Sequence, residues 1–149
     1  MKTKNLGTSW EEIEKAVEIL RLGGLVAVPT ETVYGLAADA TNEEAVSKIF
    51  KVKGRPAYNP LIIHVKNTKM AKEFAQWNKA AEALAEKFWP GPLTIVLPSK
   101  KNSKIAKTAC ANLPSVAVRM PNHPVTLKIL DQLKRPLAAP SANLSGKIS

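Results

Sequence analysis

The sequence predicts an α/β fold, a sheet of short strands covered by helices. Three observations predict it. Short apolar runs alternate with stretches of helical periodicity along all 149 residues. No repeat, linker or low-complexity segment interrupts that alternation. The clusters richest in hydroxyls and amides, "PTETVYG" and "PSANLSG", each follow an apolar strand, and functional loops in such sheets gather at strand ends.

In chain order, Ser9 with Glu12 makes a capping box, and Ile13, Ala16, Val17 and Leu20 then repeat at helical spacing up to Gly23 and Gly24. A buried strand over about 25 to 29 leads into the turn "PTETVYG". Thr41 with Glu44 reads as a second capping box. Ala45, Val46, Ile49 and Phe50 form the stripe of a second helix, which "KGRPAYNP" breaks. "LIIHV", 61 to 65, is a strand. Two adjoining helical stretches follow, one with Met70, Phe74 and Trp77, the next capped at Asn78 with Leu84, Ala85 and Phe88. The proline turn "WPGP" ends them. Strands "LTIVL", 93 to 97, and "VAVRM", 116 to 120, a helix from about Pro124 to Lys134, and "LAA", 137 to 139, complete the chain.

Composition bounds the function. A chain of this length suits one domain, residues 1 to 149, that buries roughly two thirds of its unfolded surface. No apolar run approaches the ~20 residues of a membrane span, and the N-terminus has no apolar signal core, so a cytoplasmic location is expected. The single Cys110 reads as a small buried residue, and with two separated histidines it makes no zinc set. Net charge is +10, unevenly spread: residues 1 to 86 carry 12 basic and 11 acidic side chains, residues 87 to 149 carry 10 basic ones against Asp131 alone. That balance leans towards a polyanion, nucleotide or RNA.

The chemistry-bearing clusters each have two readings. The sequence has no Walker loop, dinucleotide glycine pattern, carboxylate pair or nucleophile triad. In "KGRP", Lys53 and Arg55 either clamp an anion or complement the C-terminal dipole of the preceding helix, and spacing alone favours the second. In "APSANLSG", Ser141 and Asn143 either donate to phosphate oxygens or form an ordinary helix-capping turn. Thr30 or Thr32 either lines a site or caps a helix, with Tyr34 packing at the rim. His64, among apolar neighbours, reads as a structural histidine, and His123 as a helix-start residue. A dissociation constant of ~100 μM needs about 5 to 6 kcal/mol, while one charge-assisted hydrogen bond nets about 1.5 to 3. Several clusters must therefore converge to hold a nucleotide.

Taken together and in order, "PTETVYGL", "KGRP", "NPLIIHV", "WPGPLT", "VAVRMP" and "APSANLSG" closely resemble the YrdC/Sua5 family of threonylcarbamoyl-AMP synthases, over residues 24 to 146. The resemblance implies a twisted, mostly mixed open sheet with a basic concave cavity. It implies synthesis of L-threonylcarbamoyladenylate and pyrophosphate from L-threonine, bicarbonate and ATP, with Mg²⁺ accompanying the nucleotide. The product serves threonylcarbamoyladenosine modification of tRNA through separate transferase proteins, and tRNA or double-stranded RNA is a further expected partner. The threonine pocket carries over to Thr32 and Tyr34, with Thr30 nearby and His64 lining the same cavity. The basic pair falls on Lys53 and Arg55, the catalytic and nucleotide-binding cations, and the serine/asparagine pair on Ser141 and Asn143. Family members continue past the equivalent of Ser149 with strands that supply another serine and an arginine, so this chain is expected to lack its C-terminal strands. Rival readings are a carbamoyl adenylate-forming domain like that of HypF, and an RNA-binding or ribosome-maturation protein without catalysis.

Overall fold

The computed structural model describes residues 4–5, 10–32 and 34–140. Helix α1, Trp10–Arg21, buries Ile13, Ala16, Val17 and Leu20, the stripe that the spacing predicts. Gly23, at φ +86°, turns the chain out of it in the left-handed region that glycine tolerates best. Ser9 lies outside the described residues. Helix α2, Glu43–Lys53, buries Ala45, Val46, Ile49 and Phe50 as expected, and also Lys53; Gly54 at φ +61° ends it. Its cap differs from the reading by one residue. Asn42, not Thr41, accepts from Ala45 N (3.1 Å), because Thr41 gives both its N–H (2.9 Å) and its hydroxyl (2.7 Å) to Asp39 Oδ1.

The third predicted helix shortens to α3, Thr68–Lys72, which leaves Phe74 and Trp77 outside it. Helix α4, Lys79–Phe88, is capped by Asn78 as expected, but it buries Ala81 and Ala85 while Leu84 and Phe88 stay exposed. His123 caps α5, Pro124–Leu133, its Nδ1 accepting from Val125 N (3.2 Å). Among the described residues no helix is long and apolar enough to cross a membrane.

Among the described residues seven strands make one mixed sheet: β1 Lys4–Asn5, β2 Val26–Pro29, β3 Tyr34–Asp39, β4 Ile62–His64, β5 Ile95–Pro98, β6 Ser115–Arg119 and β7 Leu137–Ala138, in the order β1-β2-β3-β7-β4-β6-β5. β1 runs parallel to β2, and β4 to β6; the other neighbours are antiparallel. Strand β3 is an addition to the sequence reading, which took its first residues for a turn.

Side chains alternate across a sheet, and here the alternation sorts two cores. One face carries Leu36, Ala38, Ile63, Ile95, Leu97, Val116, Val118 and Ala138 against α2, α3 and α4. The other carries Val26, Val28, Ala37, Leu137 and Ala139 against α1 and α5. Arg21 ties those two helices by donating to Gln132 O (2.8 Å). The register sets Val96 beside Ala117, and Ala117 beside Ile62, on this second face. Beyond β7 the described residues do not seal that face: Ile62 and Ala117 are half-buried and Val96 is 64% exposed.

Candidate functional site

The open part of the second face holds the polar residues. Parallel pairing of β4 with β6 sets His64 level with Arg119, and antiparallel pairing with β7 sets His64 level with Leu137, so all three project from one face. Neighbouring strands lie about 4.8 Å apart, which makes His64 and Arg119 direct neighbours. They line a cavity of about 190 Å³ with Thr30, Thr32, Gly35, Ile62, Ala139 and Pro140. At Gly35 a Cβ would stand 3.2 Å from Pro140 O and 3.3 Å from Ala139 Cβ, so the bare glycine keeps that wall open. Ligand pockets usually measure about 300–1,000 Å³. This cavity suits a molecule of amino-acid size, and a nucleotide would need surface beyond it.

Each polar wall is fixed by specific bonds. Thr32 N donates to Thr30 Oγ1 (3.2 Å), and the two hydroxyl oxygens lie 3.0 Å apart, so the loop after β2 folds its hydroxyls together. Between them in sequence, Glu31 reaches across: Oε1 pairs with Arg119 Nη2, and Oε2 accepts from Asn122 N (2.9 Å). Arg119 Nε donates to Gly91 O (3.0 Å) while Gly91 N donates to Met120 O (2.8 Å), which locks the "WPGP" turn to the end of β6. Trp89 closes that turn by donating Nε1–H to Leu93 O (2.9 Å). The arginine side chain is 8% exposed and its glutamate 22%, so this is a largely desolvated ion pair.

His64 is 4% exposed. Its Nε2 lies 3.2 Å from Ala139 O; a carbonyl only accepts, so Nε2 carries the proton and Nδ1 presents a lone pair. Nδ1 has no hydrogen-bond partner among the described residues. Burial pushes the imidazole pKa down to about 4; the charge of Arg119 works the same way, while the Ala139 bond and Glu31 oppose it. The ring is therefore neutral near pH 7, with Nδ1 left as a buried acceptor.

The structure brings Thr30, Thr32 and His64 together and leaves Tyr34, Lys53 and Arg55 out of the cavity wall. Tyr34 begins β3, 50% exposed, and is not a wall of the cavity. Lys53 ends α2, 5% exposed, and its Nζ has no partner among the described residues. Its pKa is lowered, first by burial and then by Arg55. Arg55 donates from Nε to Asn59 O (3.2 Å) and from Nη2 to Pro60 O (2.8 Å), bracing the loop that enters β4, and burial lowers its pKa too. Neither cation lines the 190 Å³ cavity. Ser141 and Asn143 lie outside the described residues, directly after the cavity residue Pro140 in sequence.

Sequence reasoning missed Arg119, Glu31 and Gly35 as site residues. Arg119 carried a signal, since in "VAVRM" it shares parity with Ala117 and not with the core valines 116 and 118. The other loop acid, Asp39, is 1% exposed and held by Arg135 Nη1 (2.7 Å), a structural pair. Cys110 is buried, and the Trp77 and Trp89 rings pack 5.9 Å apart at the core edge, as small-residue and core-aromatic readings expect. Larger hollows of about 490 and 440 Å³ exist, but lysines line them and none of the predicted site residues does.

Fold and cavity define a mixed α/β sheet with a small polar pocket on a face that no helix covers among the described residues. The chain matches the Sua5/YciO/YrdC family, described as telomere recombination, over residues 18–149, and it belongs to that family. It is 51% identical over 142 residues to threonylcarbamoyl-AMP synthase of Pyrococcus abyssi (strain GE5 / Orsay), covering 93% of this chain and 40% of that protein. It is 45% identical over 148 residues to the Bacillus subtilis (strain 168) protein of the same name, covering 99% and 42%. The crystal structure of P. abyssi Sua5 complexed with L-threonine superposes with a TM-score of 0.92 at 47% identity, over all of this chain and 44% of that one. The chain thus spans about two fifths of the length of these relatives.

Proposed function

We propose that this chain carries the threonine- and nucleotide-handling part of an L-threonylcarbamoyladenylate synthase. The observation that carries the reading is the 190 Å³ cavity of hydroxyls, neutral His64 and ion-paired Arg119, in a chain about half identical to proteins of that name, one of them solved with L-threonine. Threonine is small, with hydroxyl and ammonium donors to offer. The hydroxyls of Thr30 and Thr32 are the matching partners, with the neutral His64 ring in the same wall.

The reaction joins L-threonine, bicarbonate and ATP into the adenylate, releasing pyrophosphate and water. The threonine nitrogen forms a C–N bond to the carbon of bicarbonate or CO₂, giving a carbamate. A carbamate oxygen then attacks the α-phosphorus as the bond to pyrophosphate breaks. Two anions must meet, and fixed cations offset both their repulsion and the charge developing in the transition state. Lys53 suits that role, because a buried ammonium with no partner among the described residues gains from an anion. Arg55 beside it keeps guanidinium donors beyond the two it gives to Asn59 and Pro60. Ser141 and Asn143 would position phosphates. No protein nucleophile is required.

Mg²⁺ would enter on the triphosphate. Among the described residues no three His, Cys, Asp or Glu side chains cluster to hold a metal, and Glu31 and Asp39 are each committed to an arginine. The adenylate would pass to separate transferase proteins acting on tRNA, a cytoplasmic role. Pyrophosphate release dependent on both threonine and bicarbonate tests the reading. Lys53→Ala and Arg55→Ala should each abolish it, and full release by either variant would remove these residues from the mechanism. Release driven by carbamoyl phosphate without threonine would instead favour the HypF-like carbamoyl chemistry.

A further inference from the structure

Sheet register divides the wall of the 190 Å³ cavity into two levels. Ile62 stands beside Ala117, and its carbonyl accepts from Ala139 N (3.1 Å), so these three residues form an apolar row across β6, β4 and the exit of β7. His64 and Arg119 form the next row on the same face, two residues further along β4 and β6, about 6.6 Å away. A small amino acid lying along the strands would span both rows, its charged head at the polar one and its side chain at the apolar one.

Gly35 stands at the apolar end. It pairs with Val28 in the β2–β3 ladder, and Val28 belongs to the second face, so a side chain at position 35 would point to the cavity side. Backbone torsion does not call for glycine there, since the glycines at positive φ among the described residues are Gly23 and Gly54. A glycine inside a strand gives up packing, and it marks a place where a ligand or another backbone comes close. At position 35 a Cβ would crowd Pro140 O at 3.2 Å and Ala139 Cβ at 3.3 Å. Ala139 cannot retreat, because its N–H is given to Ile62 O and its carbonyl accepts from His64 Nε2 (3.2 Å). A methyl at position 35 would therefore take its volume from the cavity.

Given the function proposed above, on which this rests, we propose that Gly35 and Ile62 determine the cavity's specificity: together they admit a β-carbon bearing one methyl and refuse a longer chain. Threonine carries a hydroxyl and a methyl on that carbon. The methyl packs on Ile62 and Ala139, while the hydroxyl meets Thr30 and Thr32, whose oxygens lie 3.0 Å apart and can each donate or accept. Serine brings the hydroxyl and leaves the apolar row without a partner. One missing methyl in a hydrophobic pocket discriminates by about 10- to 200-fold, and a wall whose Ile62 is only half-buried belongs at the low end of that range. A chain one carbon longer than threonine runs into Ile62. The glycine thus supplies room for the methyl, and the isoleucine sets where that room ends.

The test is binding of L-threonine, L-serine and the β-hydroxy amino acid one carbon longer than threonine, read by ligand-observed NMR on the whole chain, beside the pyrophosphate release that each supports. Wild type should favour threonine over serine by about 10-fold. Gly35→Ala should weaken threonine by about 10-fold and serine by less than about threefold, moving the preference towards serine. Ile62→Ala should act in the opposite sense and bring the longer amino acid to within about threefold of threonine. It probes the wall without the glycine, so a Gly35→Ala variant that fails to fold still leaves the proposal open to refutation. An equal fall for all three amino acids, at unchanged ratios, would assign these residues to stability alone and overturn the proposal. Pyrophosphate release that ignores threonine would remove the function proposed above, whereas unchanged ratios beside threonine-dependent release would remove only the specificity roles of Gly35 and Ile62.

Discussion

Lowering the pH from 7.5 to 5 should destabilise this protein through His64. Its folded pKa is about 4 and the unfolded value about 6.5, so between those limits the unfolded chain binds more protons and stability rises with pH. The contribution is fully present above about pH 6.5 and is lost as pH falls towards 4. At about 1.36 kcal/mol per unit, the full loss is about 3 kcal/mol, of which about 2 is gone by pH 5. For a domain of this size each kcal/mol moves Tm by roughly 2–4 °C. Carboxylates titrate in the same range, so the measured quantity is the difference between wild type and His64→Gln. Urea denaturation at both pH values should show wild type losing about 2 kcal/mol more than the variant. The chain has two histidines, so NMR can titrate each ring, with His123→Gln assigning the pair. A His64 resonance with its midpoint above about 6 would refute the account of a desolvated ring donating to Ala139 beside Arg119.

Two further outcomes follow from the other buried charges. Glu31→Ala leaves Arg119, 8% exposed at its side chain, with only Gly91 O as a described partner; because Glu31 is partly exposed, the cost should fall near or below the 3–5 kcal/mol of a fully buried pair, about 2 to 3. A cycle with Arg119→Met, read by chemical denaturation, should show coupling, and a cost under about 0.5 kcal/mol would mean that the pair is screened by solvent. Lys53→Met removes a buried ammonium that has no partner among the described residues. It should raise stability by about 1 kcal/mol while abolishing pyrophosphate release, and destabilisation by thermal melting would show that Lys53 is structural.

Local pattern made the buried stripes of α1 and α2 legible, because a stripe at helical spacing has one way to face a sheet. It failed where a tertiary partner decided the outcome. Thr41 has the chemistry of a cap, but Asp39, held at 1% exposure by Arg135, captures its hydroxyl, and Asn42 caps instead. "YGLAAD" has little strand propensity, with a glycine, two alanines and no β-branched residue. It becomes β3 because β2 and β7 pair with it on both sides. In α4, Leu84 and Phe88 repeat at helical spacing yet face outward, since the helix settles on Ala81 and Ala85. At the site, hydroxyl-rich composition pointed to Thr30 and Thr32. The Glu31–Arg119 pair spans 88 residues of sequence, and no local pattern contains it.

Among the described residues no helix packs on one half of this face, and that pair decides what lines it. A face carrying Ile62, Ala117 and Val96 alone would call for apolar cover. Here the same face also carries His64 and Arg119, whose polar groups a packed helix would strand. The loop around Glu31 supplies what a helix cannot: a carboxylate for the arginine, and backbone polarity that remains in reach of solvent. It also neutralises Arg119, so the cavity floor attracts no anion strongly by itself, and the histidine adds only a lone pair. Lys53 and Arg55, at and just beyond the end of α2, stand apart from that cavity. The fold thereby separates a pocket of amino-acid size, whose arginine is already paired, from the cations Lys53 and Arg55, a division that a single cationic bowl would not provide.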